Sequence, residues 1–125
     1  MSIPSTLGPG ESLFEGDSLL SPNGNYQLIL QMDGNLVLYP INNGITGQHL
    51  WASGTSNQSG GPQISHAIMQ SADGNFVIYD TSGNAPWCTG SVGENSHLVV
   101  QDDGNVVIYH PIWSTQTNQP AKPKQ

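Results

Sequence analysis

Residues 1 to 121 contain neither lysine nor arginine; the only two cations, Lys122 and Lys124, stand among the last four residues, and the formal charge is −7. A duplex or polyphosphate partner is held by neutralising its charge with Lys and Arg, so this body repels nucleic acid. The same lack argues against anionic membrane surfaces and against an arginine-clamped phosphate or carboxylate substrate. Cysteine is nearly absent too. Cys88 stands alone, cannot close an intrachain disulfide, and is expected as a small buried residue beside Trp87. No run approaches the ~18 apolar residues of a membrane span, and MSIPSTLGPGESLF lacks the basic start and apolar stretch of an export signal. No membrane insertion is expected, and the location expected is cytoplasmic, or outside the cell after unconventional release. The sequon Asn57-Gln58-Ser59 has meaning only on the secretory pathway. Helical periodicity is missing as well. With 9% charged residues, 15 glycines and 9 prolines, the chain reads as all-β, and 125 residues suffice for one domain with a modest core.

What is present is repetition. QMDGNLVLY at 31–39, SADGNFVIY at 71–79 and QDDGNVVIY at 101–109 share one order, with Asp33, Asp73 and Asp103 spaced by 40 and 30 residues. A β-prone run precedes each motif (YQLILQ, HAIMQ, SHLVVQ), and a tryptophan with a small residue follows (WASGT, WCTGS, WSTQT). Each repeat therefore predicts strand, turn, strand, loop and Trp-bearing strand. Asp-Gly between β-prone runs is a hairpin signal, because glycine adopts positive φ cheaply, so Gly34, Gly74 and Gly104 belong at tight turns. A fixed repeat whose sheets cannot bury a face alone implies three related sheets closed around one axis.

Alternation along a strand divides each hairpin into two faces. Leu36 with Leu38, Phe76 with Ile78, and Val106 with Ile108 point inward, and Trp51, Trp87 and Trp113 are expected to fill the centre. The other face collects Gln31, Asp33, Asn35, Val37 and Tyr39, and its counterparts Gln101, Asp103, Asn105, Val107 and Tyr109. Turn chemistry accounts for Asp and Asn alone, but not for the recurring Gln, Val and Tyr.

Metal and catalytic readings fare poorly. No copy supplies the ligand series of a calcium loop. His49, His66, His97 and His110 lack zinc spacing and are assigned to the surface or loops. Paired-carboxylate hydrolysis needs two acids across one substrate, and alternation turns Asp102 away from Asp103. No nucleophile elbow occurs, so the chain is expected to be no enzyme and to need no cofactor. Carboxylate, carboxamide and phenol groups beside an aliphatic residue suit a neutral polyol such as a sugar, which donates and accepts hydrogen bonds together.

The pattern Q-x-D-x-N-x-V-x-Y resembles that of the bulb-type (monocot, snowdrop-like) mannose-binding lectins over residues 10 to 117, in two full copies and one partial. That resemblance implies a β-prism II fold, with three four-stranded antiparallel sheets in pseudo-threefold symmetry and a calcium-independent mannose site on each. It implies that Asp33 and Asn35 take the axial O2 of mannose, Gln31 its O3 and Tyr39 its O4, with Val37 packed on C3 and C4. Asp103, Asn105, Gln101, Tyr109 and Val107 take the same roles. In the middle copy Asp73, Asn75, Val77 and Tyr79 match, but Ser71 stands in the glutamine's place and Gln70 one residue further back. Either the extra residue bulges and Gln70 still reaches the site, or Ser71 replaces it; this degenerate site is expected to bind more weakly than the outer two.

Without a disulfide or signal the chain is similar to the relatives of fish mucus, fungi and bacteria. Mannose-rich glycans are the expected partner, and a homodimer exchanging the C-terminal strand around Trp113 is implied. Residues 1–117 would form one lectin domain and 118–125 a flexible tail. The rival expectation is a β-prism interaction module working through protein contacts with little sugar binding.

Overall fold

Leucines at positions 7, 13 and 19 mark three short strands near the start of the chain, β1 (Thr6–Leu7), β2 (Ser12–Phe14) and β3 (Ser18–Leu20), each leucine turned into the core. The computed structural model describes residues 3–113, 115 and 117. The first repeat forms β4 (Tyr26–Leu30), β5 (Leu36–Asn42), β6 (Ile45–Thr46) and β7 (Trp51–Ala52). The second forms β8 (Ile64–Met69), β9 (Phe76–Asp80) and β10 (Trp87–Cys88), and the third β11 (His97–Val100) and β12 (Val106–Tyr109). All pairing is antiparallel, as hairpin connections require.

The opening segment adds one outer strand to every sheet. β3 borders β4, β2 borders β8 and β1 borders β11. The first sheet then runs β3-β4-β5-β7, with β6 paired to the far end of β5; the second runs β2-β8-β9-β10; the third, among the described residues, runs β1-β11-β12. Inward side chains from all three sheets form one core that includes Leu28, Leu30, Leu36, Met69, Phe76, Ile78 and Val100. This is the all-β prism, with one face of each sheet buried and one left free.

Among the described residues the third sheet shows three of the expected four strands, and its connection to Trp113 is short. Trp51 pairs with Leu38 and Trp87 with Ile78. Eleven residues separate Tyr39 from Trp51 and seven separate Tyr79 from Trp87, but only His110, Pro111 and Ile112 lie between Tyr109 and Trp113. Among the described residues nothing pairs with the outer edge of β12, and Trp113 is 80% exposed. The tryptophans therefore do not jointly fill the centre. Trp87 packs on Phe76, and Trp51 meets Trp87 edge to face at 5.5 Å while remaining 39% exposed.

A cavity of about 540 Å³ opens beside this pair, bounded by Leu98, Val106 and Ile108 of the third sheet. It leaves Val106 and Ile108 only half-buried, whereas Leu36, Leu38, Phe76 and Ile78 are buried. Cys88 is another correction: it is exposed, because β10 turns Trp87 inward and so turns the next residue outward. His66 and His97 are strand residues of β8 and β11; His97 is exposed at the surface as expected, whereas His66 is half-buried. The tail expected at 118–125 lies outside the described residues.

Candidate functional site

Each hairpin turn sets the spacing of its polar side chains. In the first repeat, Gly34 N–H donates to the Gln31 carbonyl and Gln31 N–H to the Asn35 carbonyl, and Gly34 has φ +88°. That is the pattern of a three-residue loop whose left-handed glycine makes a bulge. The third repeat repeats it, with Gln101, Gly104 and Asn105 bonded in the same way. In the middle repeat Gln70 N–H donates to the Asn75 carbonyl, and Gly74 N–H reaches back to Gln70. The extra residue lies inside the turn. Gln70 therefore holds the backbone position of Gln31 and Gln101, and Ser71 is a turn residue.

The outer sites share the same connections among Gln, Asp and Tyr side chains and the Asn backbone. Gln31 Nε2 donates to both carboxylate oxygens of Asp33, at 3.2 and 3.3 Å, and the Asn35 backbone N–H donates to Asp33 Oδ1 at 3.0 Å. The Tyr39 hydroxyl donates to Gln31 Oε1. In the third site Gln101 Nε2 donates to Asp103 at 3.1 and 3.3 Å, Asn105 N–H at 2.9 Å, and the Tyr109 hydroxyl donates to Gln101 Oε1. The Asn105 N–H, and after it the Gln101 amide, holds the Asp103 carboxyl below its ordinary value of 3.8, because both bonds favour the charged form. Asp103 is thus a fixed acceptor. The middle site differs: Asn75 N–H reaches Asp73 Oδ1 at 3.0 Å, but Gln70 Nε2 turns to the Tyr79 hydroxyl at 3.2 Å. Among the described residues no glutamine braces Asp73.

Asn35 serves two directions. Its Oδ1 accepts from Gly54 N–H at 2.9 Å, Thr55 N–H at 3.3 Å and Ser53 Oγ at 3.2 Å, tying the hairpin to the loop after β7. Asn75 Oδ1 does the same with Gly90 N–H at 2.8 Å and Thr89 Oγ1 at 3.2 Å. With the oxygen so used, the Nδ2 groups of Asn35 and Asn75 donate to nothing among the described residues and face outward as free donors.

These loop hydroxyls were not singled out from sequence. Ser53 with Thr55, and Thr89 with Ser91, form bonded pairs at 2.7 Å, and Thr55 and Ser91 cap the Gly34 and Gly74 carbonyls. Two hydroxyl residues spaced two apart after each tryptophan carry the signal. Thr115 and Thr117 repeat it at 2.5 Å, although Asn105 bonds no such loop among the described residues.

Val37 and Val77 occupy the outward face but are each only 2% exposed. Ile29 and Ala52 flank Val37, and Ile68 and Cys88 flank Val77. The aliphatic member is a floor beneath the polar groups rather than the open patch that alternation suggests. Val107, with a strand neighbour on one side only among the described residues, is half-exposed. Asp102 turns away from Asp103 as expected and accepts from Asn23 N–H at 2.8 Å. Asn57 is likewise occupied: its Oδ1 accepts from Ile64 N–H at 2.7 Å. No three His, Cys, Asp or Glu side chains converge among the described residues. Each site therefore offers carboxylate acceptors, a carboxamide donor, and a glutamine and phenol of mixed role around an apolar floor, on an open face.

No protein-family model matches the sequence. The B-type lectin plumieribetin of Scorpaena plumieri is 34% identical over 122 residues, which are 93% of this chain and 98% of that one. A mannose-specific lectin of Aloe arborescens is 37% identical over 100 residues, 77% of this chain and 84% of that one. The agglutinin of snowdrop (Galanthus nivalis) bulbs, solved with methyl-α-D-mannoside, superposes with a TM-score of 0.70 at 31% identity, over 93% of this chain and 99% of that one. Its relatives are lectins, not enzymes, and its sheets are theirs: the chain belongs to the bulb-type, snowdrop-like mannose-binding lectin family.

Proposed function

We propose that the chain is a calcium-independent lectin that binds mannose on glycoproteins or microbial surfaces through Gln31, Asp33, Asn35, Val37 and Tyr39 and through Gln101, Asp103, Asn105, Val107 and Tyr109. The middle site, Gln70, Asp73, Asn75, Val77 and Tyr79, is the weaker one toward a single sugar ring. One observation carries this reading: the Tyr–Gln–Asp–Asn hydrogen-bond relay recurs, bond for bond, at two sites in different sequence surroundings. A relay that fixes the Asp, Gln and Tyr groups before the ligand arrives lowers the ordering cost of binding. The mannose specificity of relatives and the mannoside complex of the snowdrop protein support the choice of sugar.

At a net ~1 kcal/mol per neutral hydrogen bond, a shallow site of four or five bonds holds a monosaccharide at about millimolar strength. Several sites on one body raise avidity on branched glycans by ~10² or more. The third sheet supports a homodimer built by exchanging the strand around Trp113, since among the described residues β12 keeps a free edge and an open cavity beside it. A partner's tryptophan strand would pair there and fill the cavity.

A glycan array read with and without chelator tests the function. Mannose-terminated glycans should be bound equally in both conditions; an array silent for mannose would eliminate the lectin reading, and loss with chelator would overturn the metal-free site.

A further inference from the structure

The outward face of the middle sheet carries a feature that the other two lack. Register places Phe14 of β2, His66 of β8 and Tyr79 of β9 in one row across three strands. Their rings form a ladder, with centroids 5.7 Å apart from Phe14 to His66 and 5.5 Å from His66 to Tyr79, and interplanar angles of 35° and 32°. The matching row of the first sheet is Leu20, Gln27 and Tyr39. In the third it is His97 and Tyr109 alone, because β1 ends at Leu7, opposite Leu98.

The outer end of the ladder is open and fixed. Phe14 is 56% exposed. Its backbone is clamped by Asp17, whose Oδ2 accepts the Phe14 N–H at 2.9 Å and whose N–H donates to the Phe14 carbonyl at 2.9 Å. His66 Nδ1 bonds Ser65 Oγ at 2.9 Å, next to a register shift in the β8–β9 pairing. The inner end is Tyr79, bonded to Gln70 of the middle motif. An isolated exposed apolar side chain needs no explanation. Three aligned rings joined to a polyol site do.

We propose that this ladder is a second sugar subsite, so that the middle sheet binds a mannose at Gln70, Asp73, Asn75 and Tyr79 and stacks the glycosidically linked ring on His66 and Phe14. Aromatic faces carry negative charge density and attract the C–H groups that line one side of a pyranose, while the hydroxyls at its rim stay in water. Each step of the ladder is about the breadth of such a ring. The inference rests on the mannose reading above and changes what the irregular repeat means. The middle site gives up the glutamine brace on Asp73, which weakens its hold on one ring, and regains affinity only for a longer glycan. It becomes the chain-length selector among three related sites.

Titration of the full chain with methyl α-mannoside and with an α-linked mannotriose, followed by amide NMR, tests this. The amides of Asn35, Asn75 and Asn105 report the three sites separately. At the middle site the trisaccharide should bind about fivefold or more tighter than the monosaccharide, against less than about twofold at the outer sites. Phe14→Ala should bring the middle-site ratio down to the outer-site value, and Phe14→Leu, which keeps apolar bulk without a π face, should leave most of that loss in place. A middle-site ratio unchanged in both variants would overturn the ladder while leaving the lectin intact. Methyl α-mannoside moving none of the three amides would instead remove the mannose reading itself. Because Phe14 is more than half exposed, both variants should keep the wild-type spectrum outside the middle sheet.

Discussion

Asn35 serves the fold with one end of its amide and the proposed binding site with the other. The oxygen accepts from Gly54 N–H, Thr55 N–H and Ser53 Oγ, while the nitrogen faces solvent as a donor. Truncating it removes both functions. Asn35→Ala leaves backbone donors without an acceptor and should cost about 1–3 kcal/mol, visible as a lower Tm, together with loss of the first site. Tyr39→Phe removes only the hydroxyl that donates to Gln31. It should weaken mannose at the first site several-fold with the Tm nearly unchanged, so a thermal melt beside a calorimetric titration separates the two roles. Equal Tm losses in both variants would contradict this division. Side-chain identities and faces at this scale are legible in sequence, since alternation correctly turns Gln31, Asp33, Asn35 and Tyr39 to one side. Their degree of burial is not, because Val37 is flanked on both sides, by Ile29 across its hairpin and by Ala52 of the returning β7, and alternation along one strand does not show such neighbours.

At the scale of the element, the Asp-Gly-Asn hairpins follow from a local rule, and Gly34, Gly74 and Gly104 all have positive φ, as that rule demands. Local rules stop at what the turn touches. Gly74 faces the backbone of Gly93, and a Cβ there would overlap the Gly93 carbonyl oxygen. Gly93 N–H in turn donates to the Asp73 carbonyl at 2.8 Å, so the close approach holds the longer middle turn against the loop before β11. Gly74→Ala should therefore cost more than left-handed strain alone, about 2–4 kcal/mol and roughly 10 °C in Tm. Gly83→Ala is the comparison. Gly83 has φ +84° but nothing within 4 Å of an added Cβ, so only about 1 kcal/mol should be lost. Similar Tm changes in the two variants would show that the Gly93 contact contributes nothing. The three opening strands escape a motif-centred reading because each is only two or three residues long. Their leucines at every sixth position are the one cue, and it becomes meaningful only once three separate sheets each need an outer strand.

At the scale of the whole molecule, the repeat is threefold in sequence but not in connection. Trp-bearing strands return to their own hairpins after eleven and seven residues, whereas three residues including a proline precede Trp113. A hairpin return over that distance would have to pull Tyr109 out of its pairing with His97, and Pro111 has no N–H to donate to a closing turn. A connection too short to close on its own hairpin favours exchange of the segment with a second copy. The tryptophan count alone suggests a closed centre; the length of the last connection decides against it. If exchange relieves that short connection, lengthening it should undo the proposed dimer. Inserting about four Gly/Ser residues after His110, to match the middle repeat, should let Trp113 reach Ile108 of its own sheet and convert the proposed dimer to a monomer by light scattering. In the monomer so formed, Trp113 should move from a solvent-exposed to a buried fluorescence maximum as it fills its own cavity. A lengthened chain that remained dimeric, with Trp113→Ala dimeric as well, would place the dimer contact elsewhere on the prism.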